Sequence, residues 1–353
     1  MVRFDNGSEF HHALDGKNVS TINVDLTSSL DLTETPRLRE NADIAFVGSQ
    51  KIGAFDIPAL LAQKWLALPL NPNGHPNSDV IKPSMNGSDV MGRSRNAWII
   101  DFGVRMTEAD AALYEQPFDY IRTHVYPERL KNNRASYTEK WWQHGEARAG
   151  MRAALRNLSP FIVTSRVAKH RVFTWLQSST LPDHKLCVIA RADDYFFGVL
   201  HARAHELWSL AKASRHGVGD DAVYSASVCF ETYPFPWPPG KEPQDDPRVA
   251  VIAAAARELV EKRDRWLNPE GATDAELKQR TLTNLYNQRP TWLDLAHKQL
   301  DRAVFDAYGW PPTIADDEIL ARLLALNLER AAAQGVVPVA VGDSDTESDV
   351  DNE

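Results

Sequence analysis

The chain is poor in cysteine. Its 353 residues contain only Cys187 and Cys229, which excludes a disulfide framework, and two thiols unaided cannot build a structural zinc site. Both stand in apolar, strand-like runs, KLCVIA and SVCFE, and read as buried free thiols. No run of about 18 apolar residues occurs, so no membrane-spanning helix is expected. The opening MVRFDNGSEFHH lacks the basic-then-apolar order of a secretory signal, and a cytoplasmic protein is expected.

Signatures of catalysis are equally scarce. No Gly-x-Ser-x-Gly elbow is present. Gly48 and Gly53 in GSQKIGAF follow neither the dinucleotide fingerprint nor the phosphate loop, so both read as turn residues. His201 and His205 share a helix face, yet Ala-Arg-Ala lies between them where a zinc hydrolase needs a glutamate. They read as packed helix residues. His11 and His12 are adjacent, a poor arrangement for ligating one metal from a regular element. No nucleophile, base and orienting group can be assembled.

What remains is a folded-protein composition, 43% hydrophobic and 25% charged, with an uneven charge distribution. Its length suits two domains, or one with helical extensions. The formal net charge is −9, but six carboxylates fall in the last eleven residues, 343–353, which read as a disordered acidic tail. Residues 122–171 hold eleven Lys and Arg against three Asp and Glu, interleaved with Tyr126, Tyr137, Trp141, Trp142 and Phe161. A basic, aromatic-rich face on an acidic chain is the electrostatic footprint of a phosphate-backbone binder, although a solvated surface beside a core helix gives the same composition. Trp141 and Trp142 cannot both face one way along a regular element. One is expected in the core, the other at an interface.

Along the chain, MVRF and its Asp5-Asn6-Gly7 turn suggest a strand, as do residues 20–25. Pro58 opens a helix expected to bury Leu60, Leu61, Trp65 and Leu68. A loop region rich in Pro, Gly, Asn and Ser then leads to the strand AWIIDFG. Thr107 should cap a helix over 108–115. Residues 118–123 read as continuing into a turn, Pro127 as starting a helical piece, and 148–158 as a helix. FIVTSRVAKHRVFTWL reads as two extended runs around a basic centre, 165–170. LCVIA and YFFGVL read as strands joined by a turn at Asp193-Asp194, and YSASVCFETY as a strand after the HELWSL helix. Beyond the proline-rich FPWPP, apolar residues recur at helical spacing, with Gly309 as a C-cap. A mixed α/β portion therefore precedes an all-helical one.

GAFDIP, LNPNGHPNSDVIKP, AWIIDFG, EQPFDYI, NRASYTEKWW, VAKHRVF, LPDHKLCVIARADDYFFGVL, HELWSL, FETYPFPWPP, LDRAVFDAYGWP and DDEILARLLALNLER together carry a resemblance. In this order they resemble the C-terminal part of adenine-specific DNA methyltransferases of the large fused restriction-modification kind. The resemblance implies a remnant of the end of a methyltransferase core at 1–40, a target recognition domain at 41–240 and a C-terminal helical domain at 241–335. The acidic tail at 336–353 lies outside it. The family's S-adenosylmethionine site and its Asn-Pro-Pro-aromatic motif have no counterpart here. Asn71-Pro72-Asn73-Gly74 lacks the second proline and the aromatic that would stack on an extruded base. No catalytic residue and no cofactor are therefore expected in this chain, with S-adenosylmethionine belonging to a missing catalytic domain.

The implied function is sequence-specific recognition of double-stranded DNA for an adenine methyltransferase of a restriction-modification or phage-defence system. Lysine and arginine would neutralise phosphates and set register, while arginine and asparagine would read base edges. The candidate DNA-facing residues are Arg134, Lys140, Arg148, Arg152, Arg166, Lys169, His170 and Arg171, with Arg203, Arg215 and His216 as possible base readers. The alternatives are a structural module that completes a separate methyltransferase subunit in trans, or an incomplete fragment of such an enzyme.

Overall fold

The computed structural model describes residues 12–14, 17–19, 32 and 35–336 except 217–220, with the side chains of residues 12–14, 17–19 and 216 omitted. The elements expected at 2–4 and 20–25 and the acidic tail lie outside these residues. A hairpin of β1 (His12–Leu14) and β2 (Lys17–Val19) precedes β3 (Ala45–Val47). Then come β4 (Asp56–Ile57), α1 (Ala59–Leu66), β5 (Ile81–Met85), α2 (Gly87–Met91) and β6 (Ala97–Ile100). Four short helices follow, α3 (Glu108–Ala112), α4 (Glu115–His124), α5 (Tyr126–Arg129) and α6 (Ala135–Glu139), and after them α7 (Ala149–Leu155).

The second sheet region contains β7 (Phe161–Ser165), β8 (Val167–Ala168), β9 (Phe173–Leu176), β10 (Leu181–Pro182) and β11 (Leu186–Ile189). Helices α8 (Asp194–His201) and α9 (Arg203–Lys212) lead to β12 (Ser214–His216) and β13 (Asp221–Val223). The C-terminal portion is helical throughout: α10 (Pro247–Leu267), α11 (Asp274–Gln279), α12 (Leu282–Gln288), α13 (Thr291–Tyr308) and α14 (Asp316–Ala333). The mixed α/β portion followed by an all-helical one is thus what the structure shows.

Two apolar cores organise these elements. The smaller gathers Phe55, Trp65, Ile81, Ile100, Phe118 and Trp141 around the sheet ordered β10-β5-β6-β4. The larger is built on the antiparallel sheet β3-β11-β7-β9, whose strands β7 and β11 are buried along their whole length. β-branched and aromatic residues at most of their positions suit strands covered on both faces. This core continues without a break into the C-terminal helices through Ile252, Leu259, Leu293, Leu300 and Leu323.

Several local expectations change. YFFGVL is helix α8, because Asp193 is not a turn residue but an N-cap whose side chain accepts from Phe196 N at 2.8 Å. All its residues from Tyr195 to His201 are buried, and a short helix apolar all round cannot be told from a strand by periodicity. Residues 226–230, expected extended, form a single π-helical turn, with the Glu231 amide bonded to the Ala226 carbonyl at 2.9 Å. Residues 118–123 lie within helix α4. In α1 Trp65 and Ala62 are buried and Leu61 packs partly against the core, whereas Leu60 is 82% exposed and Leu68, past the end of the helix, is also exposed. Thr107 caps α3 as expected, accepting from Asp110 N at 3.1 Å, and Gly309 ends α13 at φ 70°. Both cysteines are free and buried. Gly48 serves close approach rather than a turn, since a Cβ there would stand 2.2 Å from the Asp183 carbonyl oxygen.

Helix α8 is wedged between the sheet and helices α10 and α13, and Gly198 sets the distance. A Cβ there would lie 2.8 Å from Ile252 Cγ2 and 3.2 Å from both Ala256 Cβ and Leu300 Cδ1. Alanine favours a helix over glycine by about 1 kcal/mol, but overpacking a closed core costs about 1–3 kcal/mol. Gly198→Ala should therefore lower stability by about 1 kcal/mol in urea unfolding; an unchanged or raised midpoint would contradict this packing.

Candidate nucleic-acid interface

The basic centre lies where the two extended runs predicted it, between β7 and β9. Its two-residue strand β8 joins a second, three-stranded antiparallel sheet in the order β12-β13-β8. Ala168 pairs with Ala222, and Ala222 with Arg215, so Arg215 lies two strand spacings from the basic turn, about 10 Å. Segments some fifty residues apart in sequence thus converge on one small sheet. Val167 is 38% exposed on it, Lys169 and Arg215 are exposed, and Arg166 and His170 are half-buried. Arg166 reaches the His184 carbonyl at 3.4 Å. A cleft of ≈ 400 Å³ beside the turn is lined by Ser88, Lys169, His170, Lys185, Asp221 and Thr283.

Arg171 departs from the expectation. It is only 7% exposed and supports the sheet from beneath. It donates to Thr164 Oγ1 at 3.0 Å, to the Ser165 carbonyl, and to the Ala222 carbonyl at 3.1 Å; its guanidinium carbon lies 4.9 Å from the centre of the Tyr224 ring. Burial lowers the affinity of this guanidinium for its proton. Asp193 and Asp194 bind Arg191 and Arg257.

The other candidates are dispersed. Arg152 forms a two-pronged ion pair with buried Asp101 at 2.8 and 2.9 Å, so it is committed internally. Burial opposes ionisation of Asp101, but His144 and Arg152 outweigh it and hold the carboxyl below its ordinary range. Arg203 pairs with Asp316 at 2.6 Å. Arg134 lies over the Tyr137 ring and donates to its hydroxyl at 2.9 Å, and Lys140 is exposed. Arg148, half-buried at φ 55°, precedes α7. Of residue 216 only the strand position is described. Trp141 is core, as expected of one tryptophan; Trp142 is not turned outward but donates to the Met106 carbonyl at 3.0 Å. A wider groove of ≈ 830 Å³ near Arg105, Arg152 and Arg156 lies on the other sheet region.

His201, His205 and His297 are structural. His201 Nε2 lies 2.9 Å from the Phe173 carbonyl oxygen and 3.1 Å from both Phe173 N and Arg263 Nη1, and His205 bridges the Leu200 carbonyl and the Tyr224 hydroxyl. Burial pushes His205 and His297 down to about 3, which keeps them neutral. Among the described residues no group of His, Cys, Asp and Glu is placed to hold a metal, and no helix is long and apolar enough to cross a membrane. Asn71-Pro72-Asn73-Gly74 closes a turn, with Gly74 N bonded to the Asn71 carbonyl at 2.8 Å.

No protein-family model matches the chain. Over 154 residues, 43% of its length, it is 32% identical to DNA methyltransferase A of Bacillus subtilis (strain 168), covering 15% of that protein. Among solved structures, the type IIL restriction-modification enzyme MmeI in complex with DNA matches at a TM-score of 0.68. This chain has the fold of part of MmeI. The match spans 90% of this chain and 39% of MmeI at 15% identity, so it takes in the α/β portion and most of the C-terminal helices.

Lys185 and Asn287, which meet the basic turn from distant segments, carried no local signal; strand pairing and helix packing bring them there. The placement separates two neighbouring basic residues. Arg171→Ala should cost about 3 kcal/mol in chemical denaturation, because three buried acceptors lose their donor. Lys169→Ala should change stability by less than about 0.5 kcal/mol. Equal costs would contradict the assigned positions.

Proposed function

We propose that this chain is a duplex-DNA recognition module of an adenine-specific DNA methyltransferase in a restriction-modification or phage-defence system. In this reading it contains no methyl-transfer site, and S-adenosylmethionine belongs to a catalytic domain or subunit with which it works. The observation that carries the reading is the joining of the basic turn to β12 through β13. A short antiparallel ribbon with Arg166, Lys169, His170 and Arg215 near its outer surface has the size to follow a groove, and about 10 Å spans roughly three base-pair steps. Lys169 suits phosphate neutralisation, because a flexible ammonium makes a point-charge contact. Arg215 suits base reading, because its planar fork matches guanine O6 and N7. Likeness to a restriction-modification enzyme solved with DNA and to a DNA methyltransferase supports the same reading.

A second reading, in which the chain chiefly completes a catalytic partner, is favoured by the exposure of Leu60 (82%) and Leu70 (64%) around α1. The two make different predictions for the isolated chain. DNA recognition predicts enrichment of a motif from a randomised duplex pool, with binding that weakens steeply as salt rises. Replacing Arg166, Lys169 and Arg215 together by alanine should abolish the enrichment and lower the salt slope by about one for each phosphate contact removed. Absence of binding at low and near-physiological salt would overturn the DNA-recognition reading.

A further inference from the structure

The basic turn is held from outside its own sheet, by the C-terminal helices. Asn287 near the end of α12 accepts through Oδ1 from Lys169 Nζ and from His170 Nε2, each at 2.9 Å. The next residue inward, Tyr286, is buried; its ring centre lies 6.0 Å from that of His170, and its hydroxyl is 3.0 Å from His297 Nε2 on α13. Thr283 on the same helix donates to the Met91 carbonyl at 3.1 Å, so α12 is fastened on two sides. At the far end of the turn, Arg263 of α10 donates to the Phe173 carbonyl at 3.0 Å. The middle and the exit of the turn therefore take their positions from α10 and α12.

We infer that Asn287 is a positioning residue for DNA reading, which makes the C-terminal helical portion part of the specificity apparatus rather than a passive support. The inference rests on the DNA-recognition reading above. A lysine retains several rotatable bonds, so an unrestrained Lys169 can neutralise a phosphate from many positions and fix none. Tying Lys169 and His170 to one carboxamide oxygen removes that freedom before DNA arrives, which lowers the ordering cost of the specific complex. A non-specific complex needs only charge near phosphates and gains little from the restraint. Asn287 should therefore govern discrimination between sequences more than affinity for DNA as such.

The test uses the full chain as wild type, Asn287→Ala, Asn287→Asp and the exposed neighbour Gln288→Ala. After a motif has been selected with wild type, each protein is titrated against the selected duplex and against one with a single base pair changed, at several salt concentrations. Asn287→Ala should reduce discrimination about tenfold with the salt slope unchanged, because the Lys169 charge remains. Asn287→Asp should weaken binding to every duplex and lower the slope by about one, since its carboxylate would neutralise Lys169. Gln288→Ala should match wild type. Discrimination by Asn287→Ala within twofold of wild type would overturn the inference while leaving DNA recognition intact. A parallel loss of specific and non-specific binding would also overturn it, showing that Asn287 only maintains the fold. Failure of wild type to select any motif would overturn the recognition reading itself, and this inference with it.

Discussion

The junction beneath the proposed DNA face depends on the burial of one guanidinium. Arg171 lies beneath the junction of the two sheets, tying Thr164 and Ser165 of β7 to Ala222 of β13 and resting on Tyr224. Tyr224 in turn donates its amide to the Arg166 carbonyl at 2.7 Å. The strands of this sheet are only two or three residues long, and these bonds together with the burial of Ala168 and Tyr224 fasten it to the larger core. Burying the charge is costly unless each donor finds an acceptor, and the acceptors here are carbonyls and a hydroxyl. Because no carboxylate is among them, the positive charge persists beneath a surface that already carries Arg166, Lys169 and Arg215. In the proposed reading it would add to the attraction for a phosphate backbone.

The helical portion completes this arrangement. Its residues share the larger core with the four-stranded sheet, and α8 with Gly198 transmits the contact. Arg263 and His201 converge on the backbone of Phe173, where the basic turn ends. The position of the turn is therefore a property of both portions of the chain. That coupling gives a physical reason for the fold match to extend across most of the C-terminal helices and not only the α/β portion.

Much of this was legible from residues alone. The apolar runs on either side of the basic centre mark the two strands and the turn between them, because a basic cluster between such runs has few other places to go. Thr107 and Gly309 marked helix ends by cap chemistry that acts locally. YFFGVL reads as a strand and folds as a helix, since an all-apolar hexapeptide carries no period and its one signal, Asp193, serves turns and N-caps alike. Arg171 reads as a surface residue because composition cannot distinguish a solvated arginine from one whose donors meet buried acceptors on residues 164, 165 and 222. The union of the turn with Arg215 and with Asn287 depends on non-local strand pairing and helix packing, which no local pattern encodes.

The most direct measurement of this account is amide hydrogen exchange of the full chain with and without a duplex it selects. The account predicts that binding slows exchange in residues 166–170 and in 214–216 together, with the buried strands β7 and β11 already slow in the free protein. Slowing confined to the groove around residues 103–106 and 149–156, with both sheet segments unchanged, would contradict it.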